Sequence, residues 1–210
     1  MEFEKISKDK LREVMKTAMA YRVTFSTEPW CEIGRGPKCG DFYGIENPPG
    51  TNCPCGCGKL EEAYPIIETT GYIRDEISRQ GAVAMMVSRD SRIIAFGWGY
   101  VETGEEFADQ KYRTDEGRKI VAEIVGRDKK VFYLSEFGVI PEERGKRIGT
   151  EITKKVIKES SNLNLPFLMR TNRSSFMNKI ARNLGMIPIM GSENTPPDPE
   201  NKERVLYYKE

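Results

Sequence analysis

The stretch Val139-Ile-Pro-Glu-Glu-Arg-Gly-Lys-Arg-Ile-Gly-Thr150 decides how the rest of this 210-residue chain is read. Upstream of it, Val131 to Val139 has the aromatic and β-branched composition of a strand. Downstream, apolar residues at helical spacing predict a helix from about Ile148 to Ser160. Pro141 ends the strand and Gly145 permits a tight turn. The first turn of the following helix offers N–H groups that lack intrahelical partners, at the positive end of the helix dipole. Such an arrangement holds phosphates. Arg144, Lys146 and Arg147 add positive charge, and Gly149 keeps a side chain out of an approaching anion's path. A basic surface turn joining a strand to a helix carries the same residues, so the turn alone leaves both readings open.

Working outward, Met1 to Ile6 reads as a short strand, and Ser7 as the N-cap of a helix to about Tyr21 whose apolar side is Leu11, Val14, Met15 and Ala18. Periodicity then disappears from Val23 to Lys59, where Gly, Pro and Cys dominate. Leu60 to Arg79 is expected to be helical, with Pro65 and Gly71 as interruptions. Ala82 to Ser88 and Arg92 to Glu102 form a strand pair joined by Arg89-Asp90-Ser91. In its second strand Ile94, Phe96, Trp98 and Tyr100 alternate with Ala95, Gly97 and Gly99, which leaves one face nearly bare for a helix or ligand.

Gly104 to Tyr112 is polar without a clear element, and Asp115 to Val125 is a helix. After the decisive turn come a strand at Pro166 to Arg170, a helix from Ser174 to Leu184, a strand at Met186 to Met190, a Pro-rich loop and a last strand, Arg204 to Lys209. The order predicts an α/β domain over residues 1–210 around one mixed sheet, with a Cys-rich insertion at 23–59.

Composition narrows the chemistry. Lys plus Arg number 33 against 32 Asp plus Glu, so no global field draws nucleic acid, and the few basic residues near the cysteines, Arg35, Lys38 and Lys59, argue against nucleic acid as a partner. The start lacks a secretory pattern and no apolar run is long enough for a membrane span; a cytoplasmic location is expected. Without histidine there is no histidine base, Ser-His-Asp triad or His-containing metal site.

The run Phe137-Gly-Val-Ile-Pro-Glu-Glu-Arg-Gly-Lys-Arg-Ile-Gly149 resembles the acetyl-CoA-binding motif of the GNAT superfamily of N-acetyltransferases, in which a Val-x-Pro step precedes an Arg-x-x-Gly-x-Gly turn. Arg144 and Gly149 match its ends, and Arg147 replaces its middle glycine. The resemblance implies a mostly antiparallel, splayed central sheet flanked by helices. Acetyl-CoA would be the co-substrate, held by Phe137, Gly138, Val139 and the turn from Arg144 through Gly145, Lys146, Arg147, Ile148 and Gly149 to Thr150. A backbone N–H near Val139 would polarise the thioester. Asn172 and Ser174 are further polar contacts to coenzyme A or, equally, helix-capping residues.

The implied reaction is acetyl transfer in a ternary complex to an amine of a small molecule, peptide or protein. With no histidine available, the base is expected to be Glu136, close to where the thioester would sit, with Tyr133 and Glu102 as substitutes. The family's usual tyrosine acid falls on Ala181, so the alternative is a silent acyl-CoA-binding sensor or scaffold. In the insertion, Cys31, Cys39, Cys53, Cys55 and Cys57 are candidate ligands of a structural zinc, with free thiols or redox chemistry as alternatives. Phe25, Trp30, Phe42 and Tyr43 would border the acceptor, or form the insertion's own small core.

Overall fold

The computed structural model describes residues 1–210. Seven strands form one sheet: β1 (Glu2–Lys5), β5 (Val83–Arg89), β6 (Arg92–Thr103), β7 (Lys130–Val139), β8 (Phe167–Asn172), β9 (Ile187–Met190) and β10 (Arg204–Lys209). Their spatial order is β1-β5-β6-β7-β8-β10-β9. Every neighbouring pair is antiparallel except β7 with β8. Helices α1 (Leu11–Phe25), α2 (Ile66–Glu76), α3 (Gly104–Lys111) and α4 (Asp115–Val125) serve one face; α5 (Ile148–Ser160) and α6 (Phe176–Asn183) serve the other.

The two faces follow from alternation along the strands. On β6, Phe96 and Trp98 pack against Tyr21 of α1, and Tyr100 packs against Tyr133 of β7. On the other face Gly97 and Gly99 are not open to a helix or ligand, contrary to expectation. A Cβ on Gly97 would lie 3.1 Å from the Phe137 ring, and one on Gly99 2.6 Å from Phe132. The missing side chains make room for aromatic rings of the adjacent strand.

Opposite Trp98 and Gly99, β7 contributes three residues rather than two: Trp98 faces Glu136, Gly99 faces Leu134, and Ser135 is the extra residue of a β-bulge.

Several boundaries differ from those read in sequence. Ser7 does not cap α1. Its hydroxyl accepts from Asp9 N–H in a separate turn, and the helix starts at Leu11 and runs on to Phe25. Its buried side is Val14, Ala18, Tyr21 and Phe25, while Leu11 and Met15 are exposed. Pro65 begins α2 instead of interrupting it, and the helix passes through exposed Gly71. Glu61–Glu62 is a strand, β4, which joins β2 (Gly34–Arg35) and β3 (Phe42–Tyr43) of the Cys-rich segment in a small sheet of order β3-β2-β4. The polar run after Thr103 is α3, capped reciprocally: Glu106 N–H donates to Thr103 Oγ1 (3.2 Å) and Thr103 N–H to Glu106 Oε2 (2.7 Å).

Candidate active site

Strands β7 and β8 pair only from Phe132 to Leu134 against Phe167 to Met169. Beyond the bulge they part, and Ser135 to Val139 have no strand partner on that side. A cavity of about 1120 Å³ occupies the opening. On one face of the sheet it is lined by the start of α5 and by α6, and on the other by α1, α2 and the Cys-rich segment, with Tyr133 and Glu136 between them.

The turn before α5 is built from two left-handed residues, Gly145 (φ +78°) and Arg147 (φ +63°). Arg147 thus holds the dihedrals that the family's glycine would supply, a conformation costing a non-glycine residue about 1 kcal/mol. No backbone acceptor takes the N–H groups of Gly145 to Thr150, and α5 has no side-chain cap. Six successive amides at a helix N-terminus form a concave donor set for an anion. Gly149 admits this approach and also lets α5 sit against Phe137 and Ile180, which an added Cβ would meet at 3.3 and 3.2 Å.

The three basic residues of the turn do not act together. Arg144 faces inward: it donates to the carbonyls of Val139 (3.0 Å), Glu28 (2.6 Å) and Thr24 (3.1 Å) and to Thr27 Oγ1 (2.9 Å). These bonds fasten the turn to the end of α1, and Arg144 also lines the cavity. Lys146 pairs with Glu143 at 3.2 Å and does not line the cavity; Arg147 does. Lys154 and Lys179, which the sequence did not single out, also line this end. Lys154 lies seven residues after Arg147, two turns along the same helical face.

Asn172 and Ser174 lie outside the cavity. The Asn172 side chain accepts from Ser174 N–H (3.0 Å) and Oγ (2.9 Å), and Ser175 caps α6. Ala181 is fully buried, and α6 presents Lys179, Ile180 and Asn183 to the cavity.

At the centre, Glu136 accepts a hydrogen bond from Tyr72 of α2 at 3.1 Å. Burial pushes its carboxyl up to about 7; Lys111 opposes the shift, and Glu76 reinforces it. Glu76 itself accepts from Ser135 Oγ at 2.7 Å, so the bulge residue joins the two carboxylates' surroundings. Tyr133 is buried against Phe107, with Lys111 Nζ 5.1 Å from its ring centre; burial drives its hydroxyl far above the usual range. Glu102, the third candidate base, lies at the far end of β6 outside the cavity, also held at about 7 by burial, and receives a hydrogen bond from Gln110. Tyr72 escaped sequence reading because a single tyrosine in an amphipathic helix carries no local signal.

On the face opposite α5, Tyr21, Phe25, Trp30, Phe42 and Tyr64 wall the cavity. Tyr43 does not: its hydroxyl lies 3.3 Å from Cys53 Sγ. The sulfurs of Cys39, Cys53, Cys55 and Cys57 all lie within 4.8 Å of one another, and Cys31 is outside this group. Cys39–Cys53, Cys53–Cys55 and Cys39–Cys57 separations are 3.7, 3.2 and 3.8 Å. A tetrahedral zinc with Zn–S bonds of about 2.3 Å needs sulfurs about 3.8 Å apart. Gly36 closes the cradle, since a Cβ there would stand 2.2 Å from Cys39 Sγ. Backbone N–H groups of Cys39 and Lys38 draw the Cys57 thiol down to about 6, towards the thiolate that a metal requires.

No family model matches the sequence, and no curated protein matches it. Solved structures do. The acetyltransferase of GNAT family from Streptococcus pneumoniae is similar over 99% of this chain and 98% of its own, with TM-score 0.54 and 12% identity. The chain has the GNAT fold. A second match is the PaiA N-acetyltransferase from Thermoplasma acidophilum in complex with coenzyme A, covering 100% and 99% at TM-score 0.55 and 13% identity. The aminoglycoside 6'-acetyltransferase type Ii covers 100% and 96% at TM-score 0.56 and 10% identity. The mostly antiparallel sheet that opens between β7 and β8 is therefore the GNAT architecture, here with a cysteine cluster added after α1. No helix is long and apolar enough to cross a membrane.

Proposed function

We propose that this chain is an N-acetyltransferase that moves the acetyl group of acetyl-CoA to a primary amine within a ternary complex. The observation that carries the reading is the continuity of one cavity, through the parted strands, from the six free amides of residues 145–150 to the Glu136 carboxyl. The amides, Arg147 and Lys179 suit the pyrophosphate, and the unpaired edge from Phe137 to Val139 suits the pantetheine arm. A thioester carbonyl brought to that edge would meet a backbone N–H near Val139.

Glu136, near neutrality, takes the proton of the incoming ammonium or of a water beside it. The amine nitrogen then bonds to the thioester carbon, the C–S bond breaks with its electron pair leaving on sulfur, and the thiolate takes up the second proton that the new amide nitrogen sheds. A thiol of pKa about 8.5 departs without an obligatory acid, so Ala181 in place of the family's tyrosine is compatible with turnover. Likeness to N-acetyltransferases, among them one for aminoglycosides and one bound to coenzyme A, supports an amine acceptor and this donor. Cys39, Cys53, Cys55 and Cys57 are proposed as the ligands of one zinc ion. It would cross-link a segment with little core of its own and supply no chemistry to the transfer.

Thiol release from acetyl-CoA is to be measured across a panel of amines, with Glu136→Gln as control. Amine-dependent release that falls in the variant supports the reading. No release from any amine, together with calorimetric binding of acetyl-CoA, would instead support a silent acyl-CoA sensor, the reading that Ala181 favours.

A further inference from the structure

The acceptor side of the cavity carries cations that the reaction just proposed does not use. Arg204, on β10, lines it with its guanidinium 4.8 Å from the centre of the Trp30 ring. Lys111 and Arg35 line it as well, resting on the rings of Tyr133 (5.1 Å) and Phe42 (5.7 Å). None of the three is in ion-pair contact with a carboxylate or donates a side-chain hydrogen bond.

Their neighbour Arg170 shows what satisfaction looks like here: it is clamped to the buried Asp198 at 2.9 Å. Glu32 accepts from the Tyr64 hydroxyl and forms no ion pair with Arg204, although the two charges attract. Burial and then the proximity of Arg170 lower the basicity of Arg204, while Tyr133, Glu32 and Glu136 oppose the shift. A half-buried guanidinium over an indole, with its fork of donors free, is preorganised for a planar carboxylate. Glu136 stands across the same space as the group that handles the amine.

We infer that the acceptor is an amine that also bears a carboxylate, a compound of the amino-acid class, whose carboxylate docks on Arg204 with Lys111 as the second cation. This rests on the acetyltransferase reading and specifies its second substrate. The aromatic wall of Tyr21, Phe25, Trp30 and Tyr64 leaves room for an apolar or aromatic side chain, and Glu32 and Glu68 line the same cavity.

The test compares substrates that differ only in the carboxylate: phenylalanine against phenethylamine and arginine against agmatine, with the zinc-replete full chain and acetyl-CoA. The carboxylate-bearing member of at least one pair is expected to have kcat/KM higher by about 100-fold or more. Arg204→Gln should reduce that preference to under about 10-fold, Arg204→Lys should retain part of it, and acetyl-CoA affinity should stay unchanged in both.

Equal use of both members, preference for the decarboxylated amine, or a preference untouched in both Arg204→Gln and Lys111→Met overturns the inference. If none of the four is acetylated, calorimetry with coenzyme A present decides: N-acetylphenylalanine binding no tighter than N-acetylphenethylamine also overturns it. Failure to bind coenzyme A at all overturns the proposed function instead.

Discussion

Replacing Glu136 by Gln should destroy the proposed base and stabilise the protein, with a pH dependence fixed by the carboxyl's surroundings. Glu136 is held at about 7 instead of the ordinary 4.5, chiefly by burial. Between these two values the native state binds more protons than the unfolded chain, so stability falls as pH rises through this window. At 1.36 kcal/mol per tenfold change, the cost reaches about 3 kcal/mol by pH 8 and vanishes below pH 4.5.

Gln keeps the volume and still accepts from Tyr72, so the variant loses the charge and little else. For a chain of this size about 3 kcal/mol corresponds to a rise in Tm of about 6–12 °C. Thermal unfolding of both proteins at pH 8.5 should show this gap, and at pH 5 most of it should close. The raised carboxyl of Glu102 is common to both proteins and cancels in the difference. In parallel, kcat/KM of the wild type should rise with pH to a plateau with an inflection near 7, and the variant should lose about 10²- to 10⁴-fold. A gap that is absent at pH 8.5, or equal at both pH values, refutes the reasoning.

Arg144→Ala should lower stability by about 2–3 kcal/mol, because it leaves the carbonyls of Val139, Glu28 and Thr24 without their donor; denaturant titration measures this. At Arg147, Gly should be more stable than Ala by about 1 kcal/mol because the position is left-handed, whereas both should weaken coenzyme A binding to the same extent. Equal stability of the two variants would count against the turn geometry. The full chain should contain one zinc by elemental analysis; Cys57→Ser should lose it, and Cys31→Ser should not. Chelation of the wild type should raise the amine KM more than it weakens acetyl-CoA binding, since the cysteine segment walls only the acceptor side.

What sequence could reveal was what lies in local order. The hairpin of β5 and β6, α4, the start of α5 and β10 rest on unbroken periodicity and punctuating turns, and all were found near their expected limits. The amide-lined turn was legible because Pro141, Gly145 and Gly149 act within a few residues of one another. The anchoring contacts of Arg144 were not legible because its partners, Thr24, Thr27 and Glu28, stand more than a hundred residues away. Distance in sequence likewise hid Tyr72 beside Glu136, and Arg204 over Trp30. Thr103-x-x-Glu106 was the overlooked local signal for α3. Spacing alone could not separate Cys31 from the other four cysteines, because the fold of the intervening loop decides which sulfurs converge.

The extra residue at Ser135 gives β7 two reading frames. Up to Leu134, odd-numbered residues such as Val131 and Tyr133 belong to the face of α3 and α4, and even-numbered ones to the face of α5. From Glu136 onward the parity is reversed, and Glu136 and Gly138 share the face of Trp98 and Phe96. Deleting Ser135 would leave Tyr133, Leu134 and Glu136 opposite Tyr100, Gly99 and Trp98 in regular alternation, so Glu136 and Tyr133 would keep their common face. What would go is the local bend at the place where pairing with β8 stops, together with the hydroxyl that donates to Glu76. The bulge therefore shapes the opening between the strands; it does not choose the face on which the carboxylate stands.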